Sequence, residues 1–305
     1  MSENSSIRKI DLTATFACIG ALVFWALGPI FIKYLTGYLD SWTQNLLRYS
    51  VACLFWLPLL LLSIKAKRLD KRVWRRAIFP AGANIIFQSL WATVFYYLGP
   101  AFTVLLAKSS ILWTAGFSLI FFSEERTLIK SKRFWSGLVL LVAGVVGVIY
   151  YKEDFAVRQT FIGIIIALVM AFAWSVYLIS AKIAFKDIDS RHGFSVLSIY
   201  TVVGFFILTL LFGQVGDCLK LNAWQWACIV ISGATSIAIG HTLYYVAMKR
   251  IGATIPALVI QAQPFIVIAI SYVVFGELLN AFQLFFGIVL LAGAALAIWA
   301  QQHLS

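Results

Sequence analysis

The sequence repeats short motifs at an interval of about half its length. Residues 95–97 (Phe-Tyr-Tyr) recur as residues 243–245 (Leu-Tyr-Tyr), and Glu124, preceded by Phe-Ser, recurs as Glu277, preceded by Phe-Gly. The two intervals, 148 and 153 residues, are close to half of the 305 residues in the chain. A repeat of this length indicates a duplicated structural unit, so any fold for this chain must contain two related halves.

The chain is too apolar for an ordinary water-soluble domain. Hydrophobic residues make up 62% of it and charged residues 12%, whereas soluble domains have roughly half and a quarter. A helix needs about 20 mainly apolar residues to cross a bilayer. Ten segments meet this requirement, and the predicted spans are 12–33, 43–64, 74–98, 100–122, 133–151, 160–185, 194–213, 223–247, 254–275 and 280–301.

The predicted spans divide into five in each half, residues 1–151 and residues 152–305. Because five is odd, the second half must enter the membrane from the opposite face, which makes the halves an inverted-topology pair. We therefore predict an all-α membrane protein with ten transmembrane helices in a 5+5 inverted repeat. Such repeats are typical of secondary transporters that bind their substrate near the midplane of the bilayer.

The distribution of basic residues predicts the orientation. Eighteen of the 24 lysines and arginines flank the face that holds the N-terminus, four flank the other face, and only Arg48 and Lys108 remain inside predicted spans. Positive residues accumulate on the cytoplasmic side. We therefore expect an integral multi-pass protein, in a bacterial inner membrane, with both termini in the cytoplasm.

The sequence contains no pattern for catalysis or metal binding. It has no HExxH motif and no paired carboxylates at depth, and Cys18, Cys53, Cys218 and Cys228 have neither metal-site nor disulfide spacing. The basic residues lie between apolar runs and do not form a nucleic-acid patch. We predict a protein that is not an enzyme and has no catalytic residue, cofactor, metal site or nucleic-acid partner.

Several motifs resemble those of a known transporter family. Trp25 precedes Lys33 by eight residues, and Trp174 precedes Lys182 by the same spacing. The other motifs, in order, are Arg48-Tyr49 with Pro58, Gln263-Pro264 with Glu277, and Gly287 to Gly293. In order, spacing and duplication, these segments resemble the EamA-like branch of the drug/metabolite transporter superfamily. The resemblance implies a ten-helix exporter whose fourth and ninth helices line a central cavity.

Lys108 is the leading candidate for substrate binding. It lies about eight residues into span 4, roughly 12 Å along the helix axis, and no acidic residue lies at that depth. An unpaired charge inside the membrane is a functional candidate by default, so we expect Lys108 to meet an anionic substrate group. The alternative is a lysine neutralised by burial or held by backbone carbonyls. Arg48, nearer a span end, is expected to snorkel or to link helices.

Polar and aromatic side chains at similar depth complete the candidate site. Asn84 and Gln88 share one face of span 3 at a spacing of four residues, although amides also link helices. His241 has two equally expected roles. It is either a hydrogen-bonded packing residue or a residue that binds substrate or protons. The predicted substrate-binding residues are Lys108, Trp25, Asn84, Gln88, Trp91, Trp113, Trp174, Tyr177, His241, Tyr244, Gln261 and Gln263.

Pro264 is the predicted gating residue. Proline has no N–H, so the carbonyl of Ile260 loses its usual donor, which exposes backbone polarity or lets the helix bend. The corresponding position in the first half is Ile111, and Gln261 corresponds to Lys108. The halves therefore differ where substrate is expected to bind.

These features predict a carrier that exports or exchanges a small metabolite with an anionic group by alternating access. An amino acid or related zwitterion is the first choice, and a phosphorylated or nucleotide-like metabolite is the alternative. A channel or an intramembrane enzyme is the alternative from a different class.

Membrane lipid is the other expected partner, and the protein is expected to be a monomer or a homodimer. The small-residue pairs Ala143/Gly147 and Gly293/Ala297 allow close helix approach. We expect these pairs to pack helices of one chain together and not to form a dimer interface.

Overall fold

The protein is a bundle of apolar helices, seen here in a computed structural model that describes residues 11–252 and 254–302. Within these ranges nine helical segments are long and apolar enough to cross a membrane, and a tenth, Ile78–Val94, is apolar but shorter. We number the spans 1 to 10 in chain order. They are Leu12–Leu35, Ser41–Lys65, Ile78–Val94, Pro100–Phe121, Lys132–Tyr150, Arg158–Ala184, Ser190–Phe212, Ala223–Ile251, Ile255–Phe275 and Ala281–Gln302.

The predicted all-α membrane fold is confirmed, and the described residues contain no strand. The prediction for span 3 was too long, because the chain from Phe95 to Leu98 forms turns and a separate short helix, Arg72–Arg76, precedes the span. Two short 3₁₀ segments, Ser123–Lys130 and Val215–Lys220, connect spans 4 to 5 and 7 to 8.

Spans 4 and 9 are each broken near the middle. Span 4 consists of Pro100–Ala107 and Ser110–Phe121. Span 9 consists of Thr254–Ile260 and Gln263–Phe275. These spans occupy the same place in their respective halves, so the break is a shared feature of the duplicated unit.

Span 8 changes its winding partway along. It begins as the α-helix Ala223–Ser232, continues as the π-helix Gly233–Ile239, and ends as the α-helix Gly240–Ile251. The backbone N–H of Gly240 donates to the carbonyl of Thr235, five residues back. Single π-turns inside α-helices are frequent at functional sites.

The bundle has two faces. We call the one at which span 1 begins and span 10 ends the terminal face, and the other the far face. At the terminal face Arg250 pairs with Asp11 at 3.0 Å, which joins the end of span 8 to the start of span 1. At the far face the Lys33 Nζ donates to the carbonyl of Phe95 at 2.7 Å, which joins spans 1 and 3. Successive spans therefore run in opposite directions.

Spans 5 and 10 pack at very short range within the chain. A Cβ on Gly144 would lie 2.5 Å from the Cα of Leu290, and one on Gly293 would lie 2.5 Å from the backbone nitrogen of Leu141. Only glycine permits backbones to approach this closely.

The side chains on the surface of the bundle are mainly apolar, as contact with lipid requires. Phe16, Phe79 and Val273 are strongly exposed, whereas polar residues such as Asn45 and Gln44 are buried inside. A soluble protein does not expose contiguous apolar surface on this scale. The lipid-facing and core-facing sides of the spans are therefore set by packing between the helices.

Candidate functional site

A cavity of about 180 Å³ lies in the middle of the bundle, where spans 4 and 9 are broken. Spans 1, 2, 3, 6, 7 and 8 also contribute to its wall. Its lining residues are Trp25, Gly28, Pro29, Arg48, Tyr49, Asn84, Phe87, Gln88, Trp91, Ala107, Ser110, Met170, Trp174, Tyr177, Phe194, Ser236, Ile237, His241, Ile260 and Gln263. The wall is mostly aromatic, with a small number of polar groups, as is usual for small-molecule sites.

The two breaks that frame the cavity have the same backbone geometry. In span 4 the N–H of Lys108 donates to the carbonyl of Leu105, three residues back, and in span 9 the N–H of Gln261 donates to the carbonyl of Leu258. Lys108 corresponds to Gln261 in the repeat. Only span 9 has a proline next to its break, so the break in span 4 was not predicted.

Lys108 bridges the two broken spans. Its Nζ donates to the carbonyl of Ile260 at 3.3 Å and to the Oε1 of Gln263 at 3.2 Å. The Ile260 carbonyl is the one that Pro264 deprives of its helical donor. A backbone carbonyl therefore holds Lys108, as the alternative to substrate binding expected. Both hydrogen-bond partners of Lys108, Ile260 and Gln263, line the cavity.

The network continues from span 9 to span 1. The Nε2 of Gln263 donates to the carbonyl of Trp25 at 3.0 Å. Pro29, inside span 1, cannot donate to that carbonyl. Two carbonyls freed by prolines are thus satisfied by one lysine and one glutamine, and spans 1, 4 and 9 are joined at the level of the cavity.

Arg48 is the charged side chain of the cavity wall. It is only 2% exposed, and its Nε donates to the Oγ of Ser232 on span 8 at 3.0 Å. Its Nη1 is buried and has no hydrogen-bond partner among the described residues. No carboxylate is among the residues that line the cavity. Arg48 therefore links helices, as expected, but it does not snorkel to the membrane surface.

Aromatic rings form the wall on the side of spans 1 and 8. The ring of His241 lies 5.0 Å from that of Trp25 and 4.8 Å from that of Phe194, and Tyr244 packs on Trp25 at 4.9 Å. The His241 Nδ1 lies 2.7 Å from the carbonyl of Ile237. Because a carbonyl can only accept, Nδ1 carries the proton and Nε2 is the free ring nitrogen.

A second aromatic group lines the side of spans 3 and 6. The ring of Phe87 lies 4.7 Å from that of Trp174 and stacks on that of Tyr177 at 6.5 Å. Asn84 donates to the hydroxyl of Thr201 at 3.1 Å and to that of Tyr49 at 3.4 Å. Asn84 thus links helices while it lines the cavity, so both of its expected roles are compatible.

Most of the predicted site residues meet in this cavity. Those that line it are Trp25, Asn84, Gln88, Trp91, Trp174, Tyr177, His241 and Gln263. Lys108 and Tyr244 contact lining residues, and Pro264 is buried at the start of the second helix of span 9. Gln261, in the break of span 9, donates to the carbonyl of Ala257 in the preceding helix.

Trp113 lies outside the cavity. It is 46% exposed and packs edge-on against Phe172 of span 6, on the surface that would contact lipid. Ser110, Thr114 and Ser118, spaced four residues apart, mark the inner face of this helix, whereas Trp113 is on its exposed side.

Sequence reasoning missed Ser236 and underestimated Arg48. Ser236 reaches the cavity from the π-helix of span 8, where Gly233 and Gly240 bracket small and polar residues. Two glycines around Thr235 and Ser236 were an available signal for irregular winding.

The far face carries a tie between the two halves. The Glu277 carboxylate, after span 9, accepts hydrogen bonds from the N–H groups of Ala101 (2.9 Å) and Phe102 (3.1 Å) at the start of span 4. The hydroxyl of Ser271 donates to the same carboxylate. The first N–H groups of a helix have no intrahelical partner, and the helix dipole favours an anion there. Glu277 therefore fastens span 9 to span 4.

The geometry defines a class of protein before any comparison. It is a membrane protein of two five-span halves, with a small polar-and-aromatic cavity where paired broken helices cross. The chain belongs to the EamA-like transporter family, whose model matches it twice, over residues 12–150 and 161–299. It is therefore a membrane transporter of small molecules.

A solved structure shares the fold. A protein described as "Crystal structure of protein" superposes with a TM-score of 0.66 at 17% identity, over 96% of this chain and 98% of that chain. No curated protein matches the chain. Within the described residues no group of histidine, cysteine or acidic side chains has the arrangement of a metal site.

Proposed function

We propose that this protein is a secondary transporter that exports or exchanges a small metabolite carrying an anionic group. The observation that carries the proposal is the central cavity, which has a buried arginine in its wall, a buried lysine at its edge and no carboxylate among its lining residues. An amino acid or a related zwitterion is the first choice, because aromatic rings and single amides accompany the cations.

Alternating access is the proposed mechanism. The first helix of span 4 and the second helix of span 9 pack together toward the far face. There Val104 and Val267 share one apolar cluster with Ala26 and Ile30. Toward the terminal face, Ser110–Phe121 packs on span 6 instead. Spans 4 and 9 thus join on one side of the cavity and separate on the other, which supports a state that opens at the terminal face.

The terminal face is proposed to be cytoplasmic, in a bacterial inner membrane. The support is the excess of lysine and arginine in the loops of that face. With this orientation, the described conformation would load its substrate from the cytoplasm.

The test is a flux assay in proteoliposomes with a panel of amino acids, organic acids, amines and phosphorylated metabolites. We expect saturable transport of at least one carboxylate-bearing compound, and faster uptake when the vesicles contain that compound. Preference for phosphorylated compounds would favour the alternative substrate class. A conductance that does not saturate would favour a channel.

Pro264 is proposed to act as a gating residue. Pro264→Ala restores an N–H that competes with Lys108 for the Ile260 carbonyl and straightens span 9. We expect a several-fold slower maximal flux with little change in thermal stability, since Pro264 lies in the first turn of its helix, where proline is tolerated. The control is Pro80→Ala, a proline at a similar first-turn position of span 3 that lies outside the central cavity. Equal flux for Pro264→Ala and wild type would contradict a gating role.

A further inference from the structure

We propose that Arg48 binds the carboxylate of the transported metabolite directly, and that Lys108 instead holds spans 1, 4 and 9 in register. This proposal deepens the proposed function, on which it rests, because it assigns the anion to one side chain of the same cavity. The sequence predicts the opposite assignment, in which Lys108 binds the anion and Arg48 links helices, because Lys108 lies deeper in its span.

Arg48 has unused capacity for hydrogen bonding at the cavity. A guanidinium has five N–H donors and no acceptor, and among the described residues only the Nε–H of Arg48 has a hydrogen-bond partner, the Oγ of Ser232. The Nη1 is buried without a partner among the described residues, although Arg48 lines the cavity. A buried charge without a partner is destabilising, and an anion in the cavity supplies the missing acceptor.

The fixed Nε contact orients the guanidinium. Ser232 itself donates to the carbonyl of Ile229, and a Cβ on the neighbouring Gly233 would lie 2.6 Å from the carbonyl of Arg48. Spans 2 and 8 are therefore in close contact at this point. With Nε held by serine, the two Nη groups remain for a ligand, and a carboxylate fits such a planar pair of donors in a bidentate manner.

Lys108 has less capacity to spare. Its Nζ has three donors, of which one is directed to the Ile260 carbonyl and one to the Gln263 amide oxygen. Lys108 does not itself line the cavity, although Gln263 does. Its position at the crossing of the broken spans makes it a positioning residue, which sets where Gln263 and the Trp25 carbonyl lie.

Binding of matched compounds to the purified full-length protein tests the assignment. For each amino acid of an aliphatic and aromatic panel, the decarboxylated amine and the acid lacking the amino group are titrated, and quenching of tryptophan fluorescence is measured. Trp25, Trp91 and Trp174 line the cavity and report occupancy. We expect the carboxylate-bearing compounds to bind wild type at least tenfold more tightly than the amines.

Arg48→Gln is the decisive variant. It should weaken the binding of carboxylates at least tenfold and leave the binding of amines unchanged, so the preference disappears. Arg48→Lys keeps the charge but loses the planar pair of donors, and should fall in between. Arg158→Gln, an exposed arginine at the far face, is the matched control and should bind like wild type.

Lys108→Gln separates the two roles. We expect it to lower flux for all substrates with the preference for carboxylates retained, since its effect is on helix register. If Arg48→Gln misfolds, Arg48→Lys decides, because a carboxylate affinity equal to that of wild type then contradicts direct bidentate contact.

Three outcomes overturn the proposal. They are carboxylate affinity in Arg48→Gln equal to that of wild type, wild-type affinity that is higher for amines or phosphate esters than for carboxylates, and failure of every carboxylate in the panel to bind. Flux by wild type is measured in parallel. Retained flux with any of these outcomes rejects the role of Arg48 alone, whereas the lack of flux for the whole panel rejects the proposed function.

Discussion

The two faces of the bundle are tied together in different ways. At the far face, Glu277 after span 9 accepts from the start of span 4, and Lys33 of span 1 donates to the end of span 3. The first of these ties joins the two halves of the chain, and the second lies within the first half. At the terminal face, Lys182 pairs with Glu125, joining span 6 to the end of span 4, and Arg250 pairs with Asp11. Both of those ties are ion pairs between the halves.

Glycines at matching positions show the same contrast. A Cβ on Gly99 at the far face would overlap the carboxyl group of Glu277, whereas one on Gly252 at the terminal face, 153 residues later, would meet no atom of the described residues within 4 Å beyond its chain neighbours. At the far face the repeated glycine is thus packed against the other half of the chain, and the matching glycine at the terminal face is not. The comparison teaches that one repeated position is packed in two different ways in this conformation.

Glu277→Gln should have the largest effect on this difference. A hydrogen bond to a charged group contributes about 1.5–3 kcal/mol, and about 1.4 kcal/mol is a tenfold change in an equilibrium constant. We expect the far face to open at least tenfold more often. The measurement is labelling of Ala107→Cys, in the cavity wall, by an impermeant maleimide from the far face, with Cys18, Cys53, Cys218 and Cys228 replaced.

The control for this experiment is Glu153→Gln. Glu153 is an exposed carboxylate in the far-face loop between spans 5 and 6, so its loss should leave labelling unchanged. Equal labelling rates in Glu277→Gln and wild type would show that Glu277 does not hold the far face shut.

Gly99→Ala should open the far face less, by several-fold. The added methyl group must displace the Glu277 carboxylate, but the carboxylate keeps its charge and can bond elsewhere. The same cysteine-labelling assay applies. Gly116→Ala, within span 4 and with nothing near its Cβ position, is the control and should behave like wild type.

Lys33→Met and Lys182→Met compare the two ends directly. Lys33 is part-buried and donates to two carbonyls, of Phe95 and of Leu98 at 3.4 Å, whereas the side chain of Lys182 is 53% exposed in its pair with Glu125. Exposed ion pairs contribute about 0–1 kcal/mol. We expect a two- to fivefold change in far-face labelling for Lys33→Met and less than twofold for Lys182→Met. A larger effect from Lys182→Met would reverse the comparison.

Asp189→Asn should have the smallest effect, on stability alone. Asp189 caps span 7, and its side-chain hydrogen bonds lie within its own helix: it accepts from the N–H of Arg191 and pairs with the Arg191 guanidinium. The Arg191 guanidinium beside Asp189 lowers the pKa of that carboxyl to about 2.

Because the folded-state pKa is depressed, the stabilisation from Asp189 is complete above about pH 4 and is lost as the pH falls toward 2. Thermal melts of wild type and Asp189→Asn should therefore differ slightly at neutral pH and converge in acid, with no change in labelling. A change in labelling would mean that this local cap also acts between the halves.

Much of the fold could be predicted from the sequence because apolar length and repetition are strong signals. The ten spans, their pairing into halves, and the free carbonyl of Ile260 followed from such patterns. The partner of that carbonyl, Lys108, lies 152 residues away, and no local pattern connects the two. The break in span 4 has no proline and was visible only in three dimensions.

The candidate site was predicted less completely than the fold. Arg48 was assigned to a span end, but span 2 begins at Ser41 and the residue is buried against span 8. Trp113 was expected in the cavity, but it is on the outer surface, off the face that Ser110, Thr114 and Ser118 mark at a spacing of four residues. Its depth along the span was counted correctly, but its direction around the helix was not considered.

The π-helix of span 8 has a consequence for how this site can change over evolutionary time. A π-turn holds one residue more than an α-turn, so a one-residue deletion between Gly233 and Ile239 would convert the segment to α-helix. Each residue in an α-helix turns the chain by about 100°, and Ser236 and His241, on either side of the added residue, would no longer face the same space. The gain or loss of a single codon can therefore change which side chains face the cavity at two positions at once.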